Sequence, residues 1–99
     1  MNILVLARGR QGVSPDAIQP HITAEIQAVW DLYSQGICRE VYSRANRPGS
    51  AILMVESASV EAAQNALAGL PLVALNLIDL ELIPLAPFTG FARLFQSAR

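Results

Sequence analysis

The chain has 99 residues, 53% of them hydrophobic and 15% charged, with a formal net charge of −1. One domain fills this length, and an average soluble domain carries roughly 25% charged residues, so the composition excludes a disordered polar tail and a Glu/Lys-rich coiled coil. The net charge gives no attraction to a phosphate backbone, so we expect no nucleic-acid partner. A chain this short buries only about two-thirds of its unfolded surface, and the apolar excess predicts a homo-oligomer, a dimer or higher.

Cysteine content and hydrophobic runs indicate the compartment. Cys38 is the only cysteine, so an intrachain disulfide cannot form. The apolar N-terminal run breaks at Arg8, which is too early for a signal-peptide core. No apolar stretch approaches the roughly 20 residues of a membrane span. The sequence therefore predicts a cytoplasmic protein without membrane contact.

The first third of the chain predicts a strand followed by a helix. Residues 2–8 are rich in Leu and β-branched side chains, and the loop 9–12 contains two glycines. Residues 14–16, Ser-Pro-Asp, are typical of a helix start. Pro20 leaves two alternatives, because proline interrupts a helix interior: a short turn over 15–19, or a helix that begins at residue 20.

Beyond residue 20 the apolar spacing predicts one face of a helix that ends at Gly36. The apolar positions are Ile18, Ile22, Ile26, Val29, Trp30 and Tyr33. Gln27, Asp31 and Ser34 fall on the opposite face. We expect the apolar face, including Trp30, to pack on the sheet.

The rest of the chain predicts three more strands and a second helix. Strands are expected over 37–44, over 50–56 in a central position buried on both faces, and over 75–83, with a Pro-Gly turn at 45–49. Ser59 is a helix cap, and Gly69 ends that helix. Residues 84–99 form a tail, and its apolar side chains are expected to dock on a neighbouring subunit. Those side chains are Phe88, Phe91, Leu94 and Phe95.

The predicted order β-α-β-β-α-β is typical of the ferredoxin-like split βαβ fold. This α+β fold has a four-stranded antiparallel sheet with both helices on one face. We expect one domain over residues 1–99, with a core over about 2–83 and an oligomerisation tail over 84–99. The other sheet face needs cover, which the sheet of a second subunit would supply.

Short motifs give little evidence for metal or cofactor chemistry. The loop 8–12, Arg-Gly-Arg-Gln-Gly, lacks the spacing of either phosphate-binding glycine motif. His21 has no second ligand at a metal-binding spacing, and Cys38 has the features of a buried structural thiol. We therefore predict neither a cofactor nor a metal site.

The most informative stretch for function is the second predicted strand. Strand alternation divides it into two sets: Cys38, Glu40, Tyr42 and Arg44 on one face, and Ile37, Arg39, Val41 and Ser43 on the other. Within the first set, a proton acceptor, a phenolic donor and a cation stand together. Asp79 and Glu81 also share one face of the last strand. Two interpretations stay open, an ion-pair cluster at the surface or an interface, and a functional pocket.

Several of these segments resemble the muconolactone delta-isomerase family. The residues that carry the resemblance are Gly69-Leu70-Pro71-Leu72, the strand Ile78-Asp79-Leu80-Glu81-Leu82, the helix start Ser59-Val60-Glu61-Ala62, and Gly36 and Arg39 followed by the aromatic Tyr42. The match extends over roughly residues 15–82. It implies a dimeric α+β barrel assembled into larger homo-oligomers, with proton transfer in an unsaturated lactone acid in a cleft between subunits.

This resemblance suggests roles for the charged strand. Moving a double bond in a lactone acid needs a base for a proton and a cation for the free carboxylate. We assign Glu40 as the base, Tyr42 as the oxygen donor, and Arg39 or Arg44 as the cation that binds a small carboxylate ligand. The alternative is a non-catalytic ligand-binding or assembly protein with the same barrel.

Overall fold

The computed structural model describes residues 1–96 and contains the predicted four-stranded antiparallel sheet. The strands are β1 (Asn2–Gly9), β2 (Cys38–Ser43), β3 (Ala51–Glu56) and β4 (Ile78–Pro84). Their order across the sheet is β2-β3-β1-β4, and every neighbouring pair is antiparallel. The ferredoxin-like α+β fold predicted from the sequence is confirmed.

The first helical region has a break at Pro20. Helix α1 (Pro15–Ile18) is capped by Ser14, whose Oγ accepts from the Ala17 amide at 3.3 Å. A 3-10 turn (Gln19–His21) holds Pro20, and the long helix α2 (Ile22–Ser34) follows. The structure is therefore closer to the first predicted alternative, a short turn over 15–19 before the main helix, than to a helix that begins at residue 20. The missing proline amide explains the break.

The second helical region contains one element that the sequence analysis missed. Helix α3 (Val60–Leu67) begins where predicted, with Ser59 Oγ accepting from the Ala62 amide at 3.0 Å. A further short helix, α4 (Pro71–Ala74), follows. Asn76 then adopts a left-handed φ of 58°. The last strand therefore begins at Ile78, because the C-cap of α4 and the turn after it occupy residues 75–77, the predicted start of the strand.

The helices cover one face of the sheet, which we call the helix-facing side. Along β1 this side presents Ile3, Val5 and then Ala7, and along β3 their cross-strand partners are Val55, Leu53 and Ala51. The large residues at one end pack in the core with Ala63 and Leu67 of α3. The side chains thus become smaller towards the other end of the strands.

The opposite face of the sheet, the open face, carries no helix. Its centre is apolar and half-buried, formed by Leu4, Leu6, Ile52, Met54 and Ile83. The prediction that β3 is buried on both faces is wrong for the single chain, since both helices pack on the same side. Exposed charged residues, among them Arg8 and Asp79, lie opposite each other at one end of this face.

A β-bulge changes which residues of β2 share a face. The pairing shifts register between Cys38, opposite Val55, and Glu40, opposite Met54. Cys38 is therefore buried on the helix-facing side, whereas Glu40 and Tyr42 lie on the open face. The prediction that Cys38 and Glu40 share a face is wrong, because the extra residue of a bulge interrupts strict alternation. The prediction that Cys38 is a buried thiol is confirmed.

Helix α2 carries two apolar stripes, and only one of them faces the sheet. Val29 and Leu32 pack against the core. Trp30 is 58% exposed, together with Ile26 and Tyr33. The expectation that Trp30 packs on the sheet is wrong, because the inner stripe already occupies the side of α2 that faces the strands.

The C-terminal segment leaves the domain after β4. The amide of Leu85 donates to the Asn2 carbonyl at 2.9 Å, and a 3-10 helix (Gly90–Phe95) follows. The molecule measures 63 × 29 × 20 Å along its principal axes. The last three residues of the predicted tail, 97–99, lie outside the described residues. Within residues 1–96, no helix combines the length and hydrophobicity needed to cross a bilayer.

Candidate functional site

A cavity of about 420 Å³ lies between α2 and the small-residue end of the helix-facing side. Its volume falls in the range of about 300–1,000 Å³ that is typical of small-molecule sites. The walls are mainly aliphatic. Ala7 and Ala51 leave the cavity open, because larger side chains at these two positions would fill it. The polar residues that line it are Arg8, Glu25, Ser43, Arg44 and Ser50.

Glu25 is the acid of this cavity, and a helix start holds it in position. It lies on the inner stripe of α2, between Ile22 and Val29, which also line the cavity. Its Oε1 accepts from the Leu72 amide at 2.9 Å. Pro71 opens α4, so the Leu72 amide has no partner within that helix and needs an acceptor from elsewhere. The resulting hydrogen bond engages one carboxylate oxygen and leaves Oε2 available to a ligand.

The apolar surroundings change the acidity of Glu25. Burial disfavours the charged carboxylate and raises its pKa, and the hydrogen bond from Leu72 opposes this rise without cancelling it. A carboxyl group with a raised pKa exchanges protons more readily near neutral pH than an ordinary glutamate. The cavity therefore contains one group suited to accepting and returning a proton.

Two arginines line the same cavity. The Nε of Arg44 donates to Asn46 Oδ1 at 3.3 Å, and Arg8 lies at the end of β1. Among residues 1–96, neither arginine has a carboxylate within 4.0 Å. Arg44 therefore has no ion-pair partner among the described residues, and its guanidinium can bind the carboxylate of a ligand. Arg8 belongs to the open face, opposite Asp79, and only borders the cavity at the end of β1.

The four site residues predicted from the sequence do not form one cluster. Arg44 lines the cavity, whereas Glu40 and Tyr42 are exposed on the open face. The Tyr42 hydroxyl donates to Glu40 Oε2 at 2.5 Å, and this hydrogen bond raises the pKa of the phenol. Arg39 lies in the bulge and is exposed. The bulge in β2, and the position of Arg44 just beyond the end of that strand, thus place the four predicted residues on two different surfaces.

Glu25 is the functional candidate that sequence reasoning missed. A signal for it was present, since Ile22, Glu25 and Val29 follow helical spacing of three and four. A charged residue inside an apolar stripe is placed where burial disfavours it, which is typical of a functional position.

Comparison with known proteins gives a fold relationship. No protein-family model and no curated protein matches the chain. A crystal structure of muconolactone isomerase is 21% identical, covers 91% of this chain and 93% of its own, and superposes with a TM-score of 0.72. The chain has a muconolactone isomerase-like fold. The resemblance predicted from short motifs is thereby confirmed for the fold.

A second solved structure, of an antibiotic biosynthesis monooxygenase, shares this fold. It is 13% identical, covers 88% of this chain and 100% of its own, and has a TM-score of 0.56. The two solved structures are those of an isomerase and a monooxygenase. At these identities the likeness shows the fold alone, so the chemistry must be argued from the residues of this chain.

Proposed function

We propose that the protein is an isomerase that moves a double bond in a small unsaturated lactone acid, by proton transfer inside the cavity between α2 and the sheet. The observation that supports this most directly is the placement of Glu25. A single carboxyl group faces an apolar cavity, is oriented by the Leu72 amide and has a raised pKa. The muconolactone isomerase-like fold agrees with the same reaction class.

The proposed reaction needs one group that both accepts and donates a proton. The ionised Glu25 removes a proton from one carbon of the conjugated lactone, and the electrons of that C–H bond shift the double bond. The protonated Glu25 then returns the proton to another carbon, so the composition of the substrate does not change. A base of suitable pKa at such a position contributes typically about 10²–10⁴-fold to a rate.

Arg44 and the cavity size define the substrate class. Arg44 lines the cavity without an ion-pair partner among the described residues, and it would bind the free carboxylate of the ligand. The aliphatic walls suit the ring and the carbon skeleton. A volume of about 420 Å³ is sufficient for a small monocyclic acid.

The assignment of Glu40 and Tyr42 as catalytic residues, with Arg39 as carboxylate ligand, stays a rival prediction for the same reaction. These residues are on the open face or at the bulge, so their site would have to be completed by a second copy of the chain. A homo-oligomer is part of our proposal, because the open face has an apolar centre that a second sheet would bury. We also propose that the protein acts in the cytoplasm.

Proton exchange distinguishes these assignments. The full chain is incubated with a muconolactone-type substrate in deuterated water, and NMR follows deuterium entering carbon positions. Glu25→Gln keeps an oxygen for the Leu72 amide but loses the base, so we expect exchange to fall by about 10²–10⁴-fold. Glu61→Gln, an exposed acid on α3, is the matched control and should exchange at the wild-type rate.

The other outcomes of this experiment point elsewhere. Loss of exchange in Glu40→Gln, with exchange retained in Glu25→Gln, would move the reaction to the open face. Saturable binding of the substrate without exchange in the wild-type chain would support the non-catalytic ligand-binding protein. A thermal melt of each variant verifies that lost exchange is not lost folding.

A further inference from the structure

The hairpin that joins β2 to β3, residues 44–50, borders the cavity and is held by a tight turn. The Ser50 amide donates to the Arg47 carbonyl at 3.2 Å and closes the turn Arg47-Pro48-Gly49-Ser50. Proline at the second position and a glycine with a left-handed φ of 84° at the third are the features of a type II turn. The local sequence therefore fixes the position of Ser50, immediately before β3.

Ser50 is the one buried polar residue of the described chain, with 7% of its surface exposed. Its backbone is fully engaged, because its carbonyl also accepts from the Arg44 amide at 2.9 Å. Its hydroxyl forms no hydrogen bond within residues 1–96, and no fully enclosed side-chain oxygen there lacks a partner. The hydroxyl is therefore in contact with open space, and the space that Ser50 lines is the cavity. Such a hydroxyl is available to a ligand.

Arg44 lies directly across the hairpin from Ser50. Residues that face each other on neighbouring strands have Cβ atoms about 4.5–5.5 Å apart, so the two side chains start as neighbours. The Nε of Arg44 donates to Asn46 Oδ1 at 3.3 Å, while its Nη groups form no hydrogen bond within residues 1–96. A guanidinium and a hydroxyl, both with unused donors, thus stand together at the hairpin end of the cavity.

We propose that Ser50 and Arg44 together bind the carboxylate of the ligand, and that Asn46 is a positioning residue that holds the Arg44 guanidinium. This inference rests on the proposed function and adds the residues that recognise the acid group of the substrate. A carboxylate accepts several hydrogen bonds on its two oxygens, so it can accept from Nη and from the hydroxyl at once. Hydrogen bonds to an ionised group are stronger than those between neutral groups.

Carboxylate binding at the hairpin also orients the ligand. The hairpin belongs to the sheet side of the cavity, whereas Glu25 is on α2 and is held by the Leu72 amide of α4. The two carboxylates are then on different walls, which limits their repulsion, and the ring points towards Glu25. A neutral lactone lacks this contact, so Ser50 and Arg44 select lactone acids over neutral lactones.

Calorimetric titration of the full chain with two ligands tests the proposal. One ligand is a muconolactone-type acid, and the other is the same unsaturated lactone without its carboxyl group. Ser50→Ala removes only the hydroxyl, so the Kd of the acid should rise at least about tenfold while the Kd of the neutral lactone is unchanged. Ser57→Ala, a serine just beyond the other end of β3, is the matched control and should bind both ligands like the wild type.

A second variant tests the positioning role of Asn46. Asn46→Asp keeps the shape of the side chain and places a negative charge beside the Arg44 Nε, where it competes with the carboxylate of the ligand. The Kd of the acid should again rise at least about tenfold, with no change for the neutral lactone. Asn65→Asp adds the same charge at an exposed position of α3 and should have no effect.

Thermal melts separate binding from folding. The Ser50 hydroxyl has no partner in the described chain to lose, so Ser50→Ala should not lower the melting temperature. A clear fall would mean that the hydroxyl stabilises the fold, which would overturn the inference.

The remaining outcomes distinguish this inference from the isomerase proposal. A wild-type chain that does not bind the acid, unchanged acid binding in Ser50→Ala, or equal weakening of both ligands would overturn the carboxylate site. Acid binding that depends on Ser50, without proton exchange in the wild type, would support the carboxylate site and contradict the isomerase. Proton exchange with acid binding that is independent of Ser50 would do the reverse.

Discussion

The two ends of the helix-facing side are built from the same strands and differ in how they are packed. At one end, Ile3 and Val55 are completely buried and pack with Leu67 of α3. At the other end, the helix-facing pair is Ala7 and Ala51, and the space between this pair and α2 is the cavity. Strand geometry is the same at both ends, so the size of the side chains makes the difference.

This comparison shows how one small domain combines stability with a binding site. Removing a methyl group from a packed interior lowers the free energy of unfolding, so the filled end stabilises the fold. The cavity end gives up that packing, and it also holds a carboxyl group whose charge is disfavoured by burial. Structure that weakens folding at one end while forming a site is typical of functional regions.

The largest expected effect comes from shortening an isoleucine at each end. Ile3→Ala removes a fully buried side chain at the filled end and should lower the free energy of unfolding by about 2–5 kcal/mol. Ile78→Ala removes a half-buried side chain that already adjoins empty space, so its loss should be clearly smaller. Urea denaturation of both variants measures the difference. Equal losses would mean that the two ends are packed alike.

Enlarging an alanine should also lower stability more at the filled end than at the cavity end. Ala63→Leu forces extra volume into the filled end and should cost about 1–3 kcal/mol. Ala51→Leu extends into the cavity, so stability should change little while binding of a small lactone acid falls at least about tenfold, the equivalent of about 1.4 kcal/mol. Calorimetric titration and thermal melts test this pair. Undiminished binding by Ala51→Leu would place the ligand elsewhere.

The pH dependence of stability gives a smaller effect with a definite sign. The pKa of Glu25 is raised in the folded chain above its ordinary value of 4.5, so the folded state holds the proton more tightly than the unfolded state. Its contribution to stability is therefore fully present below that value and is lost as pH rises through the folded pKa. Stability should therefore decline less with rising pH in Glu25→Gln, whereas Glu61→Gln should show the same decline as the wild type. Chemical denaturation at a series of pH values measures it.

The smallest effect is expected on the open face. Tyr42→Phe removes the exposed hydrogen bond to Glu40 and leaves the ring, so the melting temperature should not change measurably. The contrast with Ile3→Ala would show that the single chain is stabilised from the helix-facing side. A substantial fall in the melting temperature would instead indicate that the Tyr42–Glu40 pair is buried in an assembly.

Local sequence signals were sufficient for the order of the elements and for several of their boundaries. Ser14 and Ser59 accept hydrogen bonds at helix starts as their positions predicted, and Gly36 adopts the left-handed φ of 79° that ends α2. The period of apolar residues separated strands from helices, and the βαββαβ order then led to the ferredoxin-like fold. These features depend on residues close in sequence, which is why a single sequence reveals them.

Only the tertiary structure decided which residues form the site. The bulge after Cys38 separates residues that strict alternation would group, and a bulge depends on how two strands pair rather than on either strand alone. Glu25 faces the cavity and meets the Leu72 amide 47 positions away, a contact that exists only after α2 and α4 pack together. Side-chain type and spacing thus determined the secondary structure and the fold of this protein, whereas long-range packing decided which carboxyl group is desolvated, and therefore which one is suited to move a proton.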